Sequence, residues 1–382
     1  MALPRPDPAA TEQSRRLGAL IRQVIRQNGG WIPFSRYMDL ALYAPQLGYY
    51  SGGARKFGAG GDFVTAPELS PLFAECLAEP VAAIMAASRA EVIEVGAGSG
   101  ALAAGLLAAL ARQGALPDHY AILEISGELR ARQAQTLAAQ APGLADRVVW
   151  LDALPAAFSG AVVANELLDA LPVQIVAWRE NGLFERGVAI DAEDELAWAE
   201  RPAAGALRRA AAAIPVTPPF TSEIGLAAQA WTATWGGILQ RGALLLADYG
   251  FPQREYYHPQ RVAGTLMCHY RHHAHCDPFW LPGLNDITAH VDFTAIAEAG
   301  HDAGLELLGY VSQGQFLLNA GIAEWLADHA GDDAVSHAAR VGGAQKLISP
   351  AEMGELFKVM VLGKGIADPL AAFARGDRRH AL

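Results

Sequence analysis

Cysteine is scarce in this chain, and positive charge is outweighed by negative. Cys76, Cys268 and Cys276 are an odd number with no C-x-x-C pair, which excludes a disulfide framework. Free thiols suit a reducing compartment, and the expectation is a cytoplasmic protein. The 29 Lys and Arg against 40 Asp and Glu leave a net charge of −11. That argues against a broad nucleic-acid or anionic-membrane surface, because such affinity comes from clustered cations. Long hydrophobic runs are also missing. No stretch reaches the roughly 18 uncharged apolar residues of a membrane span, the nearest candidate, 224–239, being interrupted by Gln, Thr and Gly. The first sixteen residues hold three prolines and no apolar core of signal-peptide type. Apolar residues in total are not lacking: 52% of 382 residues supply a sizeable core, for one large α/β domain with additions or for two domains.

The rest of the chain is organised around Glu91-Val92-Ile93-Glu94-Val95-Gly96-Ala97-Gly98-Ser99-Gly100. An apolar run ending in an acidic residue, then glycines at alternate positions, then the Ala- and Leu-rich residues 101–111 predict a buried strand, a tight turn and a helix. Glycine lets such a turn bend and lets a ligand reach the backbone, since a Cβ would occupy the ligand's space. Further strands are predicted at 120–123, 147–151, 161–164 and 243–247. They end in Glu124, Asp152, Asn165-Glu166 and Asp248 respectively. Alternating strands and helices signal a parallel sheet covered on both faces, whose carboxyl edge is where ligands bind. Late strands at 305–311 and 357–362 bring the count to seven, the last of them antiparallel.

Outside this repeat, residues 11–27 read as an amphipathic helix stopped at Asn28-Gly29-Gly30, with a second helix from Ser35. Residues 48–66 interleave glycines with Tyr49, Tyr50, Phe57 and Phe63, the composition of a lid or binding loop. Thr65-Ala66-Pro67-Glu68 has capping-box spacing, and Ser70-Pro71 offers a second helix start. Cys76 falls on the apolar face of that helix as a packing residue, and Pro80 ends or kinks it. An insertion at 173–220 carries a hairpin turning at Asn181-Gly182. Residues 251–292 are dense in His, Tyr and Pro. Within them Cys268, His269, His272, His273, His275 and Cys276 follow no standard zinc spacing, so this stretch reads as a substrate-facing loop and no metal is expected.

Two cofactors suit a glycine turn followed by an acidic second strand end. A nicotinamide dinucleotide needs G-x-G-x-x-G/A, met by Gly96, Gly98 and Ala101. S-adenosyl-L-methionine needs acidic-x-G-x-G-x-G, met by Glu94, Gly96, Gly98 and Gly100, with Glu124 on the ribose and Asp152 near the adenine amino group. The second match uses residues that the first leaves idle.

Residues 60–68 (GGDFVTAPE), 94–100, 165–172 (NELLDALP), 286–293 (DITAHVDF), Glu352-Met353-Gly354 and Phe357-Lys358-Val359 together resemble the MidA family, along nearly the whole chain. The resemblance implies a seven-stranded class I methyltransferase fold of Rossmann-like type using S-adenosyl-L-methionine. Residues 1–85 would supply N-terminal helices and the lid loop, and 86–382 the methyltransferase domain. It further implies that the 60–68 segment, with Gly61, Asp62, Phe63 and Thr65, closes over the cofactor. For mitochondrial members it implies symmetric dimethylation of an arginine on a quinone-module subunit of respiratory complex I.

Methyl transfer is an in-line displacement, so the protein must align the nucleophile and exclude water. A protonated, delocalised guanidinium needs carboxylates that grip it by bidentate hydrogen bonds. Glu166 is expected as its main anchor, supported by Asp169, with Asn165 fixing the turn or contacting the cofactor. Glu68 from the lid and His290 are expected to touch the substrate. The partner would be a protein substrate, and the hairpin insertion with the aromatic-rich C-terminal part offers apolar surface for a homodimer. Two other readings stay open on the residues alone: a non-catalytic assembly factor that holds a respiratory-complex subunit, and a nicotinamide oxidoreductase.

Overall fold

The computed structural model describes residues 3–52, 65–329, 334–366 and 370–382. By contact the chain groups into two compact units. One draws on residues 64–167, 231–250 and 293–382, the other on 1–63, 168–230 and 251–292.

The first unit is built on a path of seven strands: β1 (Glu91–Val95), β2 (His119–Leu123), β3 (Val148–Leu151), β4 (Phe158–Asn165), β5 (Leu239–Phe251), β6 (Glu306–Ser312) and β7 (Phe357–Lys364). The two-residue strand Val291–Asp292 lies off this path. The spatial order is β3-β2-β1-β4-β5-β7-β6. β1 pairs in parallel with β2 and with β4, β2 with β3, and β4 with β5, while β7 runs antiparallel to both β5 and β6. Successive strands step outward from β1 to β3, then return to its other side at β4. The crevice between the carboxyl ends of β1 and β4 is therefore the switch point at which open α/β sheets take their ligands.

Apolar runs make these strands continuous with the core. Val92, Tyr120, Ile122, Val163, Leu245, Val359 and Val361 share one buried cluster with α1 (Leu72–Ala87) and α2 (Ala101–Arg112), which contribute Phe73, Leu77, Val81, Leu106 and Leu110. Burial of each large side chain is worth about 1.5–3 kcal/mol. α1 runs on through Pro80. Cys76 is buried on its apolar face, and that burial, helped by Glu75, pushes its thiol up to about 12.

The second unit opens with the helix Pro8–Gln27, capped by Asp7, whose Oδ1 accepts from the Ala10 amide at 2.8 Å. Leu17, Ile21 and Ile25 turn inward, and the helix stops at Asn28 before Gly29 and Gly30, both left-handed. The helix Phe34–Tyr43 packs its Phe34, Tyr37 and Met38 into the same apolar cluster. A five-stranded sheet contains Trp31–Pro33, Gln174–Arg179, Gly182–Ile190, Leu196–Pro202 and Phe220–Ile224. Its central hairpin turns after Arg179, paired with Gly182, where the Asn-Gly signal placed it. Residues 267–288, expected as a loop, instead include a three-stranded antiparallel sheet of Met267–Tyr270, His273–His275 and Asp286–Thr288. There Cys268 is fully buried opposite His275.

Candidate active site

The turn after β1 is made by three left-handed glycines, Gly96 at φ +76°, Gly98 at +51° and Gly100 at +84°. At two of them a Cβ would also crowd a neighbour. A Cβ on Gly96 would lie 3.0 Å from Leu167 Cδ1, and one on Gly100 would lie 3.0 Å from the Cα of Gln133. Gly100 also caps α2, so the helix begins at the turn and aims its first amides there, an arrangement that favours an anionic group such as a carboxylate. Glu94, one residue before the end of β1, is buried and accepts from Tyr120 Oη at 2.5 Å. Burial raises its carboxyl to about 7, against the lowering effect of that hydrogen bond.

At the end of β2, Glu124 is tied to its surroundings at both oxygens. Oε1 accepts from the Ser126 amide at 2.8 Å and Oε2 from Gln133 Nε2 at 3.3 Å. Burial pushes its carboxyl up, opposed by the Ser126 amide, Gln133 and Arg130. Ser126 caps α3 (Gly127–Gln140), accepting from the Leu129 amide. From α3, Arg130 donates to the main-chain oxygens of Glu124 and Leu151 and to Asp152 Oδ1 at 2.7 Å. Asp152 is otherwise exposed, its side chain 88% accessible.

The residues that tie these strand ends together, Gln133, Arg130 and Trp150, gave no signal in the sequence. Ile125, directly after Glu124, is 81% exposed. An apolar residue directly after an acidic strand end is the signal the sequence carries for it. With Leu154 (36%) it gives this edge apolar surface of the kind a flat base covers.

β4 ends in Asn165, and Glu166 follows in the left-handed region at φ +50°. Its amide donates to the Ala247 oxygen at 2.9 Å. Asp248 Oδ2 receives the next amide, that of Leu167, at 3.1 Å. Glu166 Oε1 accepts from Asn165 Nδ2 and from the Ala66 amide, both at 3.2 Å. Thr65 and Glu68 flank that contact on the short helix Ala66–Leu69. The capping box does not form, since the amides of Glu68 and Leu69 bond the Thr65 main-chain oxygen and the Thr65 side chain caps nothing. Glu68 Oε2 and Asn165 Oδ1 are buried acceptor atoms with no hydrogen-bond partner among the described residues.

Gly61, Asp62 and Phe63 lie outside the described residues. Asp169 and His290 belong to the other unit. Asp169 is buried and its main-chain oxygen accepts from the Ala289 amide at 3.0 Å. His290 stacks on Phe251 with ring centroids 5.3 Å apart, and its amide donates to Thr265 Oγ1.

A seven-strand path in the order 3-2-1-4-5-7-6 with an antiparallel seventh member, a glycine turn at its switch point and a carboxylate after the second strand define a class I methyltransferase. The comparisons with known proteins agree. Residues 72–311 match the family model of S-adenosyl-L-methionine-dependent methyltransferases, and the chain belongs to that family. The mouse protein arginine methyltransferase NDUFAF7, mitochondrial, is 30% identical over 371 residues, covering 87% of this chain and 81% of the relative. The zebrafish protein of the same name is 29% identical over 374 residues, with coverages of 86% and 82%. A crystal structure from Burkholderia thailandensis, bound to S-adenosyl-homocysteine, superposes with a TM-score of 0.97 at 57% identity over 100% of both chains. The chain is thus a methyltransferase and S-adenosyl-L-methionine is its methyl donor, which sets the nicotinamide reading aside.

One expectation is corrected. The relatives are named as mitochondrial proteins, which overturns the cytoplasmic assignment. Free thiols persist in any reducing interior, so cysteine usage carried no information about which one.

Proposed function

We propose that the enzyme methylates the guanidinium of an arginine on a protein partner, with a quinone-module subunit of complex I as the target. The observation that carries this reading is the set of acceptors beside the switch point: Glu166 at the end of β4, with the buried, unpartnered Glu68 Oε2 on the helix whose first amide Glu166 holds. A guanidinium brings five N–H donors in a fixed fork and no acceptor. Glu68 Oε2, a buried carboxylate oxygen with no donor among the described residues, is its complement, since leaving such an atom unmet costs about 1–3 kcal/mol. The relatives named as protein arginine methyltransferases support the same choice.

S-adenosyl-L-methionine supplies the activated methyl group. Gly96, Gly98 and Gly100 would admit it to the backbone, the first amides of α2 would favour its carboxylate, and Asn165 Oδ1 would accept from its ammonium. Glu124 would take the ribose hydroxyls, Asp152 would meet the adenine amino group, and Thr65 would lie beside the cofactor. Glu94 lies inside the sheet, where its carboxyl accepts from the Tyr120 hydroxyl. On the substrate side, Glu166 and Glu68 fix the guanidinium plane, hold its charge and bias electron density to the attacking nitrogen. The proton that nitrogen gives up passes to a carboxylate and on to solvent.

Peptides that differ only in arginine or lysine, assayed with methyl-labelled S-adenosyl-L-methionine, test the reading. Label should enter the arginine peptide alone. Glu68→Gln should raise the KM for the peptide about tenfold with little change for the cofactor. Label in the lysine peptide alone would sink the arginine assignment.

A further inference from the structure

Gln133 is fully buried on α3 and ties together groups from three strand ends. Its Nε2 donates to the Gly98 main-chain oxygen at 3.2 Å and to Glu124 Oε2 at 3.3 Å, while its Oε1 accepts from Trp150 Nε1 at 2.9 Å. The glycine turn, the β2 carboxylate and the β3 indole are thereby held by one side chain. The backbone at this point is equally constrained, since a Cβ on Gly100 would stand 3.0 Å from Gln133 Cα. A glutamine buried without need costs stability. This one has both functional ends satisfied, and every partner lies at the cofactor edge.

We infer that Gln133 is a positioning residue for the adenosine half of the methyl donor. It acts by fixing the Glu124 carboxylate against the glycine turn, its own amide being held in place by the Trp150 indole. The inference rests on the assignment of Glu124 to the ribose. The chemistry needs an amide and no other group of this size. Only an amide donates to both Gly98 and Glu124 while accepting from Trp150. Gln133→Met keeps the volume and loses all three bonds. Gln133→Glu keeps the shape and the acceptor for Trp150, but sets a second carboxyl against Glu124. Two carboxylates at hydrogen-bond distance share a proton, and raising the pH removes it.

The test is calorimetric binding of S-adenosyl-homocysteine to the full chain, for wild type, Glu124→Gln, Gln133→Met and the double variant. Each single change should weaken binding on the order of tenfold, and the double variant should be no weaker than the weaker single, because Gln133 acts through Glu124. Multiplying losses would overturn the inference while leaving Glu124 in place. Wild-type affinity in Glu124→Gln would instead overturn the ribose assignment itself. Should Gln133→Met fail to fold, Gln133→Glu decides the matter. Its affinity should fall from pH 6 to pH 8.5 relative to wild type, and parallel pH profiles for the two proteins would refute the role.

Discussion

Glu166 is held in a backbone conformation that its own side chain disfavours. At φ +50° a residue with a Cβ carries a cost of about 1–2 kcal/mol that glycine does not. The neighbours enforce it: the Glu166 amide is bonded to Ala247, the Leu167 amide to Asp248, and the carboxylate to Ala66 and Asn165. Glu166→Ala and Glu166→Gly remove the same carboxylate contacts, so the difference between them isolates the backbone. Against the left-handed cost stands the greater freedom of glycine in the unfolded chain, about 0.4–1 kcal/mol in the opposite direction. The expected balance is Glu166→Gly more stable than Glu166→Ala by about 0.5–1 kcal/mol, the reverse of the usual order. Urea unfolding of both, followed by tryptophan fluorescence without cofactor, reads this as a higher midpoint for the glycine variant. Both should be unable to transfer a methyl group. Glu166→Ala proving the more stable by the ordinary margin would show that the turn relaxes, and that Glu166 is not rigidly presented.

Two further outcomes follow from the cofactor edge. Gly98→Val places a branched side chain at φ +51° in the turn and should abolish S-adenosyl-homocysteine binding in calorimetry, and retained affinity would remove the glycine turn from the site. Glu94, with its folded-state carboxyl at about 7 against an ordinary 4.5, keeps a proton that the unfolded chain releases, so stability should fall as pH rises through that window, by roughly 3 kcal/mol at most. Glu94→Gln keeps an acceptor for Tyr120 and removes the titration. Its stability relative to wild type should therefore be greater at pH 8 than at pH 5, and an equal difference at both would contradict the burial argument.

The sheet was legible because each of its strands is an apolar run closed by a polar residue, a local pattern that needs no knowledge of the partners. The glycine turn was legible for the same reason, its spacing being contained in one stretch of chain. What escaped were features set by distant neighbours. Gln133 and Arg130 look like ordinary surface residues of an amphipathic helix, and only the packing of α3 against the ends of β1, β2 and β3 gives them work. The strand Leu196–Pro202 gives no strand signal within the insertion at 173–220, because an edge strand with charged residues and a proline lacks the alternation of a buried one. The His- and Cys-rich residues read as a loop for a similar reason. Their strands are three or four residues long, too short for a period to show. Thr65 and Glu68 had the spacing of a capping box without forming one, since main-chain bonds to the Thr65 oxygen close that turn instead.

In the function proposed above, the methyl group goes to a protein arginine presented to Glu166. Mass mapping of the quinone-module subunit after incubation with purified enzyme and S-adenosyl-L-methionine, wild type beside Glu166→Ala, addresses it most directly. One or two added methyl groups on an arginine, absent with the variant, is the predicted result. An unmodified subunit, from an enzyme that binds S-adenosyl-homocysteine normally, would contradict the assigned target, and equal modification by the variant would contradict the role of Glu166.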